Sequence, residues 1–87
     1  MTEIRAYVLC KVQSGTEREV CNAITQYSNV SEASVVFGEY DVIVSIDAAN
    51  LEQLEFIVDK IRMIPSVTFT STMVVGKQYK KRGTLTL

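Results

Sequence analysis

Gly38, Glu39, Tyr40 and Asp41 are the residues of this chain whose types and spacing best suit chemistry. The glycine adopts turn conformations at no steric cost, and such a turn leaves backbone N–H groups next to a phenol hydroxyl and a carboxylate. No other stretch gathers as many polar groups. They suit binding better than bond-making. The chain has no histidine, neither cysteine stands beside a base, and no two carboxylates share a convincing cleft, so the acid–base and nucleophile constellations are missing. Cys10 and Cys21 lack the further ligands of a zinc site; they read as small hydrophobes in a reducing compartment. No catalytic residue, metal or cofactor is expected.

The turn is held by the elements around it. Val30 to Phe37 and Val42 to Asp47 are rich in β-branched residues, and one glycine between two such runs signals a short hairpin. Upstream, Ile4, Ala6, Val8, Cys10 and Val12 alternate with Arg5, Tyr7, Leu9 and Lys11, which predicts a strand with an apolar face toward helices. Thr16 and Glu19 have capping-box spacing, and Val20, Ala23, Ile24 and Tyr27 form the apolar stripe of a first helix. Asn50 and Gln53 cap a second, whose stripe is Leu51, Leu54, Ile57, Val58 and Ile61. Pro65 cannot continue that helix, so Val67 to Val75 becomes the last strand, with Thr68, Thr70, Thr72 and Val74 alternating against Val67, Phe69, Ser71 and Met73.

Eighty-seven residues bury only roughly 60–65% of the surface their unfolded form exposes, which favours self-association as a source of stability. Two units are expected: a folded domain over residues 1–76 and a basic tail over residues 77–87. Lys77, Lys80, Lys81 and Arg82 put +4 in the tail, leaving −5 of the net −1 for the body. An acidic body argues against nucleic acid as the main partner, since phosphate neutralisation needs a basic face. No apolar run approaches the ~18 residues of a membrane span and no signal peptide is evident, so a cytoplasmic location and no membrane partner are expected. Thr84 to Leu87 alternates in a way that suits addition to a sheet edge in an oligomer.

The order βαββαβ is the ferredoxin-like α+β arrangement, an antiparallel four-stranded sheet with two helices on one face. Its other face is expected to carry Tyr7, Leu9, Ile43 and Val74 with Thr68, Thr70 and Thr72 around them. That half-apolar surface suits a second copy better than water, as in a dimeric α/β sandwich or barrel, with Tyr7, Leu9, Ile43, Thr68 and Val74 at the dimer interface.

Gly38 to Val44, Asp47, Leu51 and Leu54, Ile64 to Val67, and the threonine-rich strand to Val75 together resemble the ligand-binding domain of the Lrp/AsnC transcription regulators, the module called RAM. The likeness covers Ile4 to about Val75. Full-length members carry an N-terminal helix-turn-helix domain; here the first strand begins at Ile4, so the expectation is a stand-alone form without direct DNA binding. The resemblance implies an amino-acid-binding, effector-sensing and oligomerisation module. Its sheets would pack face to face in dimers that assemble into octamers or decamers, and it would modulate full-length regulators of the family. By position it points to Gly38, Glu39, Tyr40 and Asp41 as ligand-binding residues, with Thr70 and Thr72 as further candidates. Turn amides would hold the ligand carboxylate, and Asp41 or Glu39 its ammonium.

Other readings remain open at this point. Asp41 could simply open a strand, with Tyr40 covering a core edge and Gly38 serving only the turn. The topology also fits a small dimeric monooxygenase, a purely structural oligomer-forming module, or an RNA-binding sheet. The last needs exposed aromatics for base stacking, and the expected open face offers only Tyr7.

Overall fold

A computed structural model of the protein describes residues 3–83. Its elements run β1 (Ile4–Val12), α1 (Glu17–Ile24), β2 (Val30–Val35), β3 (Val42–Ala48), α2 (Leu51–Arg62) and β4 (Val67–Val74). The four strands form one sheet in the order β2-β3-β1-β4, and every pairing is antiparallel. This is the ferredoxin-like α+β fold. The expectation for Thr84 to Leu87 lies outside the described residues, and residues 75–83 form neither helix nor strand.

The alternation in β1 and β3 decides where the core sits. Ala6, Val8, Cys10, Val42, Val44, Ile46 and Ala48 on one face are completely buried against Val20 and Ile24 of α1 and Leu54, Ile57 and Ile61 of α2. The two central strands therefore carry the inner layer, and the helices cover them.

The two helix starts are built differently: the capping expected from spacing forms at α2 and is absent at α1. At α2 the Gln53 amide donates to Asn50 Oδ1 at 2.8 Å, while Gln53 Oε1 accepts from the Ala49 amide at 2.6 Å, so two orphan donors are satisfied. At α1 the Thr16 hydroxyl instead donates to the Gln13 carbonyl at 2.6 Å and makes no cap bond. Gly15 lies between them at φ +88°, and this left-handed residue folds the chain back tightly enough to offer Thr16 a carbonyl in place of the helix amides. α1 is also shorter than its stripe suggests: Ala23 is exposed, and Tyr27 packs on the core from the turn beyond the helix.

The register corrects the expected face of β4. Ala6 pairs with Val74, Val8 with Thr72 and Cys10 with Thr70, so Thr70, Thr72 and Val74 lie on the helix side; Tyr7, Leu9 and Lys11 pair with Met73, Ser71 and Phe69 on the open side. Thr68 falls at the bulge between Lys11 and Val12 and donates its hydroxyl to the Lys11 carbonyl at 3.1 Å. The physical reason is that β4 is an edge strand. α2 covers its helix side only partly, leaving Thr72 and Val74 exposed, so hydroxyls are tolerated there and the larger apolar groups are free to face the other way.

Burial holds the Cys10 thiol neutral: its pKa is pushed up to about 11, first by desolvation and then by Cys21 nearby. In the unfolded chain the thiol ionises near 9.0, so above that pH the unfolded state releases a proton that the folded state keeps. Stability should be unaffected below that range and fall as pH rises toward 11, by roughly 2–3 kcal/mol at most. Urea unfolding at several pH values, with Cys10→Ala subtracted to remove the tyrosine and lysine background, measures this. A difference that stays flat with pH would show that the thiol is not desolvated as described.

Candidate functional site

Beyond Val35 the chain leaves the sheet, and Phe37 at the tip of the connection is 99% exposed. Gly38 has φ +158°, a positive value that residues with a Cβ rarely adopt, so the backbone itself calls for glycine even though a Cβ there would meet nothing within 4 Å. Among the described residues, the amides of Phe37, Gly38, Glu39 and Tyr40 make no backbone hydrogen bond. They are free donors at the end of the β2–β3 hairpin.

Asp41 closes this hairpin in a way spacing did not reveal. The β1–β3 register runs out at Cys10 opposite Val42. Two residues further along β1 the Val12 amide would face no strand, and Asp41 Oδ2 accepts from it at 2.8 Å. The Asp41 backbone adds two bonds, its amide to the Cys10 carbonyl and its carbonyl from the Val36 amide, both at 2.9 Å. One carboxylate oxygen thus continues the ladder after the backbone has turned away. The other has no partner among the described residues.

That bond gives a direct prediction. Asp41→Ala leaves the part-buried Val12 amide unsatisfied and should cost about 1–3 kcal/mol, whereas Asp41→Asn keeps an acceptor oxygen and should cost less than half as much. Thermal unfolding of both variants at one protein concentration separates them. Equal losses would show that the bond to Val12 contributes nothing.

Tyr40 turns onto the open face of the sheet. Its ring stacks on Phe69 with centroids 6.4 Å apart and planes inclined by 26°. Lys11 Nζ lies 5.8 Å from the Tyr40 centroid and 6.0 Å from that of Phe69, within range of a cation–π attraction. Lys11 and Phe69 were not anticipated as neighbours of the turn. Only the register, which sets Lys11 opposite Phe69, brings them there. Thr70 and Thr72, the further candidates, sit on the opposite side of the sheet from Tyr40. Thr72 lines a depression of about 370 Å³ against Leu54, Val58, Asp59 and Arg62 of α2.

The rest of the open face is partly apolar. Tyr7, Leu9 and Ile43 are half-buried, while Phe69 and Met73 are about half exposed. At the far end Arg5 donates from Nε to Asp47 Oδ1 at 2.8 Å and from a terminal nitrogen to Oδ2 at 3.2 Å, a forked cross-strand pair. Beside it a depression of about 350 Å³ is lined by Arg5, Tyr7, Glu32, Ser34, Ile43 and Ser45 among others. It lies over β2 and β3, away from the Gly38–Asp41 turn.

The structure is thus a ferredoxin-like domain with a polar turn at one corner of its sheet and an uncovered, half-apolar face. The model of the Lrp/AsnC ligand binding domain matches residues 5–85, and the chain belongs to that family. It is 37% identical over 76 residues to the HTH-type transcriptional regulator FL11 of Pyrococcus abyssi, an alignment covering 87% of this chain and 50% of that regulator. The chain spans about half the length of the curated regulators of this name that it matches. Among solved structures it is similar to FFRP-DM1, with 41% identity, a TM-score of 0.78, and coverage of 83% of this chain and 97% of that one. The protein PHS023 from Pyrococcus horikoshii is 36% identical at a TM-score of 0.78, with coverage of 93% and 99%. The relatives with curated names are transcription regulators, and no helix of the described residues is long and apolar enough to cross a membrane.

Proposed function

We propose that this chain is an amino-acid-binding, effector-sensing and oligomerisation module that modulates transcription regulators of the Lrp/AsnC family. The observation that carries the reading is the Phe37–Asp41 segment, where the four amides of Phe37 to Tyr40 lack backbone partners next to an Asp41 carboxylate with one oxygen to spare. Amides of this kind attract a carboxylate, and the spare oxygen suits an ammonium through a charge-assisted hydrogen bond. Glu39, exposed on the same turn, adds a second anion. An amino-acid zwitterion presents both of the groups such a site asks for.

The same reading assigns the open sheet face to a second copy. Tyr7, Leu9, Ile43, Phe69 and Met73 form its apolar part, with Phe69 and Met73 replacing Thr68 and Val74 in the interface. Pairs of sheets stack face to face, and pairs assemble further into octamers or decamers. Both helices are committed to the core through Val20, Ile24, Leu54, Ile57 and Ile61, so the described residues have no helix free to enter a DNA groove. Regulation then runs through co-assembly with full-length regulators that carry the same domain, or through competition with them for the effector.

The test is a thermal-shift screen against the twenty amino acids at millimolar concentration, with protein concentration fixed because the melting point of an oligomer depends on it. A ligand at ~100 times its dissociation constant stabilises by about 2.7 kcal/mol per site. Asp41→Asn is the informative variant, since it keeps the bond to Val12 and removes the charge. A shift with one or a few amino acids that Asp41→Asn abolishes supports the reading; no shift with any of them overturns the sensing part and leaves assembly alone.

A further inference from the structure

We propose that the basic segment 77–82 binds the phosphate backbone of duplex DNA without regard to sequence, giving an assembly of these chains an electrostatic hold on the DNA that its regulators occupy. The inference rests on the regulator-modulating reading above for the source of the duplex, and it does not depend on an amino acid binding at the turn.

Lys77, Gln78, Tyr79, Lys80, Lys81 and Arg82 follow one another, and each is a residue type that contacts phosphate oxygens. All six are exposed. Every carboxylate side chain stands earlier in the chain, on the acidic body, yet none of them reaches the segment. Among the described residues the ion pair present joins Arg5 to Asp47, and residues 77–82 take part in no hydrogen bond. Four cations are thus left without a partner. The chain stays tied to the sheet as far as Val75, whose amide donates to the Arg5 carbonyl at 2.8 Å. Asp41 is bonded at the other end of β1, to Val12, so the segment leaves the sheet at the end away from the turn.

Distance decides whether the acidic body cancels these charges. Salt screens exposed charges beyond about 10 Å at 0.1 M. Six residues span up to about 20 Å when extended, so Lys80, Lys81 and Arg82 can stand beyond the reach of the body's charge. The segment holds no aliphatic side chain, which favours a polyanion over a protein surface, whose interface core is apolar. One segment neutralises at most four phosphates, a weak contact by itself. Several copies on one assembly act together, because the first contact raises the effective concentration of the rest. Phosphate contacts carry no sequence information directly, so the reading of bases stays with the full-length regulators. The expectation that the chain makes no direct contact with DNA is thereby narrowed to the bases.

Fluorescence anisotropy of the intact protein with two labelled duplexes of unrelated sequence tests this. Both should bind alike, and each segment that neutralises four phosphates should weaken binding roughly a hundredfold as salt rises from about 50 to about 200 mM. Replacing Lys77, Lys80, Lys81 and Arg82 together by Gln should reduce binding at the lower salt at least about tenfold, while Lys80→Arg keeps it and Lys80→Gln makes the salt dependence shallower. The segment makes no hydrogen bond or ion pair to the body, so each variant should keep its unfolding midpoint. Binding that survives the fourfold replacement, binding to one duplex only, or no binding at the lower salt overturns the proposal. If the fourfold variant instead changes the size of the assembly by light scattering and duplex binding is absent, the segment serves the acidic body of a second copy and the proposal fails. The thermal shift with amino acids and its loss in Asp41→Asn are read separately, so neither reading falls with the other.

Discussion

Leu9→Asp should abolish the face-to-face pairing of copies proposed above, leaving a monomer at concentrations where that pairing would hold the unaltered chain in an assembly. Leu9 lies in the middle of the open face, with Ile43 opposite it on β3 and Ser71 opposite it on β4. In a two-fold pairing of this face each substitution occurs twice, so one mutation buries two carboxylates with no cation among their cross-strand neighbours. Desolvating even one such group without a partner costs several kcal/mol, which corresponds to at least about a hundredfold rise in the dissociation constant. The isolated domain should keep its fold, because Leu9 faces away from the core formed by Ala6, Val8 and Cys10. Leu51→Asp is the control: Leu51 is 61% exposed at the first position of α2, and a carboxylate there is favoured by the helix dipole. Light scattering with size-exclusion chromatography reads both. An assembly that survives Leu9→Asp would show that the chains pair through another surface.

Ile46→Ala should be the most destabilising single truncation. Ile46 is fully buried on the inner strand β3, opposite Ala6 on one side and Val30 on the other. Alanine at a neighbour already spends little volume, so the side chains around Ile46 have few atoms with which to fill the space. Ile→Ala changes of this kind cost about 2–5 kcal/mol, against 0.5–1.5 for Ile→Val. A domain of this length has roughly 4–13 kcal/mol to lose. At about 4–8 °C per kcal/mol, the alanine variant should melt roughly 8–40 °C lower and the valine variant about 2–12 °C lower. Calorimetry at one fixed protein concentration makes the comparison. A loss below about 1 kcal/mol for alanine would mean that β3 does not carry the core.

The two effects act on opposite faces of one sheet, and their independence is itself informative. Leu9→Asp should change assembly with little change in the monomer's fold, and Ile46→Ala should do the reverse. The candidate site lies where the faces meet the β2–β3 turn: Asp41 is tied to the backbone of β1, and Tyr40 lies on the face proposed to pair. A ligand bound at the proposed site would touch both the hairpin and the face proposed to pair, the arrangement a sensing module needs if occupancy is to alter association.

How much of this was legible in the sequence depends on how local each cause is. The alternation of β1 and β3, the Asn50–Gln53 cap, the stop at Pro65 and the order of elements were all readable, because each follows from period, propensity or a bond between near neighbours. The Gly38–Asp41 turn stood out for its composition. Three features depended on pairing between distant segments. The first is the face of β4: a period of two separates its residues into two sets but does not say which set points to the helices, and the edge position and a bulge at Thr68 settle that. The second is the role of Asp41 in the β1 ladder, which exists only because the pairing with β3 stops at Cys10 and Val42, two residues short of Val12. The third is the meeting of Lys11, Tyr40 and Phe69, far apart in sequence and joined by register. Local physics determined which elements form and where they break; only the tertiary structure decided which side chains share a surface, because register is a property of two segments together and neither segment encodes it alone.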